Sequence, residues 1–491
     1  MKKILLLLFS LTSLIVNGQW NQLGTDIDGQ AVNEQSGTTT SLNANGTILA
    51  IGAPRAMVNA VMKGKVSIFE WNGTSWIQKG NDILGSNEGD VFGESLNISS
   101  DGNIIVIGAS GSLNPAYLSP TGPTGYARVF EWNGSNWSQK GSDIQGTAPN
   151  DIAGSSVSIN ASGNSIGMSI PGFDGANGAN CGAIRNYDWN GTTWIQKGQD
   201  ILGSSANSYL GTLAMNATGN IIAIGNGGDN TGGSNAGSVK VFEFNGATWT
   251  QKGNTVLGNN AALQGHGSTL AIDDTGTNFI TGGYSFTNGA LGYIKAYTWN
   301  GTSWIPKGVT LPGTGGSDFF GTAVDISQDG SIIAASSLTL LNGYVRVFKF
   351  EGSSWTQQGT DLLGEASGDQ FGRSLSLSSN GSILAAGTPF NDGNGTSAGH
   401  VRVFENTTLS TSDFDSNSFS FYPNPAKDIV TFSTKNSIKE IIIYNLLGQE
   451  VLTKLVNSND FSIDISNLST GTYIAKLNSN EKSQSTKLVK I

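Results

Sequence analysis

Short apolar runs alternate with turn residues along most of the chain, and one phrase recurs among them. It consists of a Trp, a residue of any type, usually a Gln, a spacer and then a Gly. Seven copies begin at Trp20, Trp76, Trp137, Trp194, Trp249, Trp304 and Trp355. Successive copies are 56, 61, 57, 55, 55 and 51 residues apart. A self-similar period of this length is typical of repeat architectures.

Each copy of the unit contains the same four elements in the same order. In the second unit these are residues 95–99, the apolar run 104–109, the alternating segment 127–132 and a strand that begins at Trp137. An Asn-Gly pair precedes the Trp in five units, and it is a strong hairpin signal because both residues accept positive φ. Four strands per unit predict one propeller blade, so the sequence predicts an all-β, seven-bladed β-propeller.

The two ends of the repeat region predict how the ring closes. The seventh unit ends at residues 401–406 without the hairpin and Trp that should follow. The missing strand is present near the N-terminus, at residues 20–24. We therefore expect the N-terminal strand to complete the last blade, so that the propeller spans residues 19–406. A linear solenoid would need polar capping repeats, and the sequence shows none.

The pairs Phe92-Gly93, Phe320-Gly321 and Phe371-Gly372, with the later phrases 107–109 and 386–389, resemble FG-GAP repeats. Those repeats form the blades of the integrin α-subunit head and its bacterial relatives. The resemblance covers roughly residues 20–406. Ser36-Gly37, Ala153-Gly154 and His266-Gly267 depart from it at the Phe-Gly position.

Calcium loops are implied by this resemblance, since FG-GAP blades often carry them. The corresponding loops are residues 174–178, 229–233 and 392–395, with the candidate ligands Asp174, Asn177, Asp229, Asn230, Asp392 and Asn394. Ca²⁺ takes about six to eight oxygen ligands, usually with several carboxylates. Each loop supplies one carboxylate and lacks the closing acid. The same residue types also suit tight turns, so a turn role and weak calcium binding both stay open.

The composition changes after the last repeat. Residues 407–418 are rich in Ser, Thr, Asp and Asn and predict a linker. Residues 419–491 contain no Trp and predict strands at 429–433, 441–444, 450–455 and 473–477. Three ordered phrases, at 421–425, 447–449 and 469–473, accompany these strands.

These phrases are similar to those of the type A sorting domain of type IX secretion substrates. The resemblance implies a small immunoglobulin-like β-sandwich that the type IX machinery recognises, and a protein that is secreted or held on the outer cell surface. It implies a sorting signal at Pro423, Asn424, Pro425, Gly448, Gly471 and Tyr473. A generic terminal sandwich domain that binds another molecule is the alternative.

The N-terminus and the charge are consistent with export. Residues 1–18 predict a signal peptide, in which Lys2 and Lys3 precede two short apolar stretches. No later segment approaches 18 apolar residues, so we expect no transmembrane segment. The formal charge of −10 disfavours a nucleic-acid partner, which would need Lys and Arg against phosphate. Cys181 is the only cysteine, so an intrachain disulfide is excluded.

No residue set commits the chain to catalysis, and we expect no enzyme activity. His266 and His400 occupy repeat positions that hold Phe and Tyr in other units. The basic residues of one repeat position should be spread around the ring, unlike the arginine cluster of sialidases; they are Arg128, Arg185, Lys240, Lys295, Arg346 and Arg402. The repeated Trp is interpreted as blade packing, with a sugar-stacking platform as the alternative.

The longest departure from the repeat is the segment 110–125, which contains three Pro and Tyr117. Loops on a rigid scaffold often carry binding residues, so Tyr117 is the candidate ligand contact. The leading interpretation is an exported, adhesion-like protein that binds an extracellular glycan or protein. A carbohydrate-active enzyme, or the recognition module of one, and a structural surface component are the alternatives.

Overall fold

The computed structural model describes residues 20–113, 122–258, 265–283, 291–315, 318–338, 342–406, 419–445, 449–478 and 483–491. The predicted signal peptide (1–18) and linker (407–418) lie outside the described residues. Every regular element in the described part is a β-strand, and no helix there is long and apolar enough to cross a membrane. Contacts divide the chain into two compact units, Met1–Ser410 and Thr411–Ile491, which are described separately.

Seven antiparallel sheets form the first unit, which confirms the predicted all-β propeller. We number the blades 1–7 and count the strands of each blade from the centre outward. The first strands are Thr39–Leu42, Ser95–Ile98, Val157–Ile159, Thr212–Met215, Thr269–Ile272, Val324–Ile326 and Ser374–Leu377. The second strands are Ile48–Ala53, Ile104–Ala109, Ser165–Ile170, Ile221–Asn226, Asn278–Gly283, Ile332–Ser337 and Ile383–Thr388.

The outer part of each blade has a long third strand and two short strands paired with it. The third strands are Lys65–Trp71, Tyr126–Trp132, Ala183–Trp189, Ser238–Phe244, Tyr293–Trp299, Tyr344–Glu351 and His400–Asn406. The fourth strands, in blade order, are Trp76–Gln78, Trp137–Gln139, Trp194–Gln196, Trp249–Gln251, Trp304–Pro306, Ser354–Gln357 and Trp20–Gln22. The fifth strands are Ile83–Leu84, Ile144–Gln145, Ile201–Leu202, Val256–Leu257, Leu311–Pro312, Leu362–Leu363 and Ile27–Asp28. A small hairpin, Met57–Val58 with Val61–Met62, extends from blade 1.

The N-terminal strand supplies the outer strand of blade 7. Trp20–Gln22 pairs antiparallel with His400–Asn406, with Trp20 opposite Asn406. A closed ring of seven backbone hydrogen bonds, 2.8–3.2 Å long, links the residues that follow the first strands. Each N–H donates to the carbonyl of the next blade, in the order Ala44, Ser100, Ala161, Ala217, Asp274, Gln328, Ser379 and back to Ala44.

The hydrophobic cores lie between neighbouring blades, because each thin sheet buries both of its faces. One core joins Ile68 of blade 1 to Phe92 and Ile105 of blade 2. Close packing at the loop ends of the strands explains the Gly of the Phe-Gly position. Gly154 has φ of 87°, and a Cβ there would overlap the carbonyl oxygen of Tyr126.

The second unit contains the strands Phe419–Tyr422, Ile429–Tyr444, Glu450–Asp464, Gly471–Asn478 and Ser483–Lys490. The predicted strands at 429–433 and 441–444 are one continuous strand, because register shifts between Ser433 and Glu440 let it keep its pairing with Glu450–Asp464. Its first half pairs with Phe419–Tyr422 and its second half with Gly471–Asn478. Val430 and Ile443, from the two halves, share one core, so the bent hairpin folds over itself.

Candidate functional site

Two kinds of loop emerge on one face of the propeller, which we call the loop face. They are the loops from second to third strands and the loops that enter each first strand. The antiparallel order places both kinds at the same end of the blades, and the Asn-Gly hairpins at the other end. Isolated bridges join loops of neighbouring blades, such as Gly64 with Phe92 and Gly125 with Ala153. Tyr117, the predicted ligand contact, lies outside the described residues.

The seven repeated tryptophans contact the neighbouring blade. Each indole Nε1 donates to a backbone carbonyl of the preceding blade at 2.7–3.0 Å. The acceptors are Gln358, Leu23, Lys79, Lys140, Lys197, Lys252 and Lys307, for Trp20 and then the other six in order. The indole edges are therefore occupied by blade contacts.

The arginines of the third strands are dispersed, and those of blades 2, 3 and 6 are paired within their own blades. Arg128 contacts Asp143 at 2.7 Å, and blades 3 and 6 repeat this pair with Arg185–Asp200 and Arg346–Asp361. The pairs hold the pKa values of Asp143 and Asp361 below their usual range. The Gln of the Trp phrase donates to the same Asp, as Gln139 does to Asp143 at 2.9 Å. This Asp recurs two residues after the phrase's Gly, a signal that the sequence analysis missed.

The three loops predicted to bind calcium occupy equivalent places on the loop face, in blades 3, 4 and 7. Asp174 accepts the Asn180 N–H at 2.8 Å, and Asp392 accepts the Ser397 N–H at 2.8 Å. Asn177 and Asn394 donate to backbone carbonyls at 2.7 and 3.0 Å. The two Asp contacts close the loops locally, and the two Asn contacts tie the loops to the residues after the fifth strands.

The blade 4 loop has the most engaged carboxylate. Asp229 accepts the Thr231 N–H at 2.8 Å and the Ser238 hydroxyl at 2.6 Å, while Asn230 accepts the Asn235 N–H at 2.8 Å. Burial opposes ionisation of Asp229, but these hydrogen bonds keep its pKa below the usual value. Among the described residues, the group of three acidic or His side chains that could share an ion lies elsewhere, in blade 7. Calcium binding at the three loops stays a prediction.

Glu94 is a titratable group on the loop face that the sequence analysis missed. It follows Phe92-Gly93, where the other described Phe-Gly units have Thr322 or Arg373. Burial raises the pKa of Glu94 to about 7, although one carboxylate oxygen accepts the Ser110 N–H at 2.8 Å. Ser110 begins the segment that contains Tyr117. A carboxyl group that titrates near neutral pH beside a long loop is a candidate for proton transfer.

A cavity of about 160 Å³ lies where the first strands meet, toward the face opposite the loops. One position of each first strand lines the ring; its residues are Ser41, Asn97, Ser158, Ala214, Ala271, Asp325 and Ser376. The five polar side chains among them each accept a backbone N–H group of the next blade, as Ser376 accepts Leu42 at 2.9 Å and Asp325 accepts Leu377 at 2.7 Å. The second Asp325 oxygen accepts the Ile326 N–H at 2.8 Å.

The two histidines have different surroundings. His266 replaces Phe and is fully buried, with its Nδ1 3.1 Å from the Tyr293 hydroxyl. Burial, with a contribution from Lys295, lowers the pKa of His266 to about 3, so the ring is neutral. His400 begins the third strand of blade 7, opposite Asp28.

The predicted sorting residues gather at two places in the second unit. Asn424 accepts the Val489 N–H at 2.8 Å, between Pro423 and Pro425. Gly471 begins its strand, and the Tyr473 hydroxyl donates to the Ser469 carbonyl at 2.8 Å. These contacts tie both phrases to the body of the unit. Gly448 lies outside the described residues.

Residues 420–491 match the family model described as "Secretion system C-terminal sorting domain". The chain therefore combines a β-propeller with a type IX sorting domain. It is a cargo of the type IX secretion machinery, exported to the outer cell surface or secreted.

No match was found among curated proteins. Several solved structures are similar to this chain. The WD40 repeats of RRP9 are 10% identical to it, with a TM-score of 0.49 over 79% of this chain and 99% of that one. PorZ, a surface component of the type IX secretion system of Porphyromonas gingivalis, is 12% identical with a TM-score of 0.42 over 94% of this chain and 60% of its own. A putative 6-phosphogluconolactonase from Bacteroides uniformis is 12% identical with a TM-score of 0.46, over 67% of this chain and 86% of that one. The propeller assignment rests on the strands themselves.

Proposed function

We propose that the propeller is a non-enzymatic, adhesion-like module whose loop face binds an extracellular glycan or protein. The observation that carries the proposal is that the repeated side chains contact other strands or blades of the propeller. The Trp indoles and the Arg–Asp pairs of blades 2, 3 and 6 are engaged between strands or blades. What varies from blade to blade is concentrated in the loops of one face. The resemblance to integrin-type repeats and the export route support the same function.

Exposed apolar side chains on the loop face support a binding role. Val32 and Met57 are each 55% exposed and Tyr209 is 51% exposed. The Tyr209 N–H donates to the Asn180 carbonyl at 3.1 Å, which places Tyr209 beside the blade 3 loop. A rigid aromatic side chain exposed on a loop is typical of contact residues in binding surfaces.

The test is retention of the mature full-length protein on immobilised polysaccharides and matrix proteins, scored together with product release. We expect retention without products. Tyr209→Ala should weaken it by about tenfold, a loss typical of an aromatic anchor. Ile195→Ala is the matched control, since Ile195 is 52% exposed on an outer strand away from the loop face. If both variants were retained equally, the loop face would not be the binding surface. Retention on none of the tested surfaces would favour a structural surface component.

The alternative of a carbohydrate-active enzyme is favoured by Glu94. A carboxyl group with a pKa of about 7 can act as a general acid at neutral pH. Release of oligosaccharides from a polysaccharide, abolished in Glu94→Gln, would select this function over the first. Release that persists in Glu94→Gln would exclude Glu94 as the acid.

A further inference from the structure

Blade 7 departs from the repeat at two positions beside its junction with the N-terminal strand. The third strand begins with His400, where blades 2, 5 and 6 have Tyr. The fifth strand ends with Asp28, whereas the other six end with uncharged residues. Asp28 and His400 are direct cross-strand partners, so the two departures meet at one place.

A third departure leaves Asp26 available at the same place. Asp26 occupies the repeat position of Asp143, which pairs with an arginine in blade 2. The corresponding arginine of blade 7, Arg402, instead contacts the Glu365 carboxylate at 3.1 Å and the Leu363 carbonyl at 2.8 Å. One Asp26 oxygen accepts Gln22, and the other faces His400.

The distances in this cluster fit a shared ion better than a hydrogen bond. His400 Nδ1 is 3.5 Å from Asp26 Oδ2 and 3.9 Å from Asp28 Oδ1. An N–H···O hydrogen bond would be about 2.7–3.2 Å long. Two ligand atoms of a tetrahedral ion are about 3.4 Å apart when each is about 2.1 Å from the metal. The His400 side chain is 2% exposed, and its polar contacts among the described residues are these two carboxylates.

We propose that Asp26, Asp28 and His400 bind one divalent transition-metal ion of the Zn²⁺ class. One imidazole nitrogen with two carboxylate oxygens is a donor set that suits Zn²⁺, with water in the remaining position. Ca²⁺ and Mg²⁺ prefer oxygen ligands throughout, so this site is distinct from the predicted calcium loops.

The ion joins the N-terminal strand to the last strand of the propeller. Asp26 and Asp28 come from the segment that closes the ring, and His400 comes from the strand that receives it. Cys181 is the only cysteine, so a disulfide cannot secure this junction. An ion that binds only the closed ring stabilises it by mass action.

Chelator-treated, untagged full-length protein is titrated with Zn²⁺, Mn²⁺ and Ca²⁺ by calorimetry, and its thermal unfolding is followed with and without each ion. His400→Tyr and Asp28→Leu install residues that other blades have at these positions, so both should fold. Asp143→Asn is the control, because it removes the carboxylate of the Asp26 position in a blade without the histidine. Tryptophan fluorescence verifies that each variant has the wild-type propeller.

We expect one Zn²⁺ per chain and a rise in Tm, both lost in His400→Tyr and Asp28→Leu and both kept in Asp143→Asn. Co²⁺ in place of Zn²⁺ should give a visible absorption band that His400→Tyr abolishes. No stoichiometric Zn²⁺ binding, or binding that survives in His400→Tyr, would overturn the proposal. Binding of Ca²⁺ alone would also overturn it and would assign an ion to the calcium loops.

Discussion

Asp325 predicts that the stability of the propeller depends on pH. It is the one carboxylate at the ring position of the first strands, where three blades have Ser, one has Asn and two have Ala. Its two oxygens accept the N–H groups of Leu377 and Ile326. Asp325→Ser restores the commonest residue of the position and retains an acceptor for the next blade.

The magnitude follows from the difference between folded and unfolded pKa values. Burial outweighs the two backbone hydrogen bonds and raises the pKa of Asp325 from 3.8 to about 6. The folded state then binds the proton more tightly than the unfolded state, so stability falls as the pH rises from about 4 to about 6. A pKa difference of about 2 units corresponds to about 3 kcal/mol of unfolding free energy. Wild type loses this stability when Asp325 ionises at neutral pH, whereas Asp325→Ser has no group to ionise there and keeps it.

Urea unfolding followed by tryptophan fluorescence measures this effect in the propeller alone, because all 11 Trp lie at or before Trp355. The unfolding free energy of Asp325→Ser minus that of wild type should increase by about 2.5 kcal/mol between about pH 4 and about pH 7. Asp143→Ser is a control of opposite sign, since Arg128 lowers the pKa of Asp143. The unfolding free energy of Asp143→Ser minus that of wild type should decrease as the pH rises through the acid range. A difference for Asp325→Ser that does not change with pH would refute the reasoning.

Three further predictions follow from the contacts. Trp304→Phe removes the 2.8 Å hydrogen bond to the Lys252 carbonyl and should lower the unfolding free energy by about 1 kcal/mol in urea, against about 3–5 kcal/mol for Trp304→Ala. His266 has a folded pKa of about 3, so the wild-type propeller loses stability as the pH falls below about 6.5. His266→Phe should remove this loss, which is about 2 kcal/mol at about pH 5 and can be measured by thermal unfolding. A chain that ends before residue 419 should stay in the periplasm, as cell fractionation would show, because it lacks the sorting domain.

The propeller strands could be predicted closely because their signals are local. The predicted segments 95–99, 104–109 and 127–132 correspond to Ser95–Ile98, Ile104–Ala109 and Tyr126–Trp132. Alternation and Asn-Gly turns fix such strands within a few residues of chain. The two-residue fifth strands, such as Ile144–Gln145, are too short to show alternation, and their pairing with the third strands is visible only in the structure.

The sorting unit shows a different limit of sequence patterns. Residues between Ser433 and Glu440 lack apolar alternation, so the sequence predicts two strands there. They stay within one strand because the partner Glu450–Asp464 continues beside them through register shifts. Pairing between distant segments decides this strand, and a local pattern does not contain that information.

The candidate sites were predictable in place but not in chemistry. The sequence placed Asp174, Asp229 and Asp392 in equivalent loops, and it could not show that a backbone N–H group already occupies one oxygen of each carboxylate. The cluster of Asp26, Asp28 and His400 forms only because the ring closes, so neither end of the chain indicates it alone. Glu94 was visible as an exception to the repeat, but its raised pKa results from burial.

Some residues that depart from the repeat restore a contact that a neighbouring blade lacks, and others do not. Ala271 cannot accept a hydrogen bond from the Ile326 N–H, and the second oxygen of Asp325 accepts it instead, so these two departures form a compensated structural pair. Asp26, Asp28 and His400 instead converge on one another, with their ligand atoms within 4.8 Å among the described residues. In a ring whose repeated contacts are already satisfied, uncompensated departures that converge on one point are where a function beyond packing is expected.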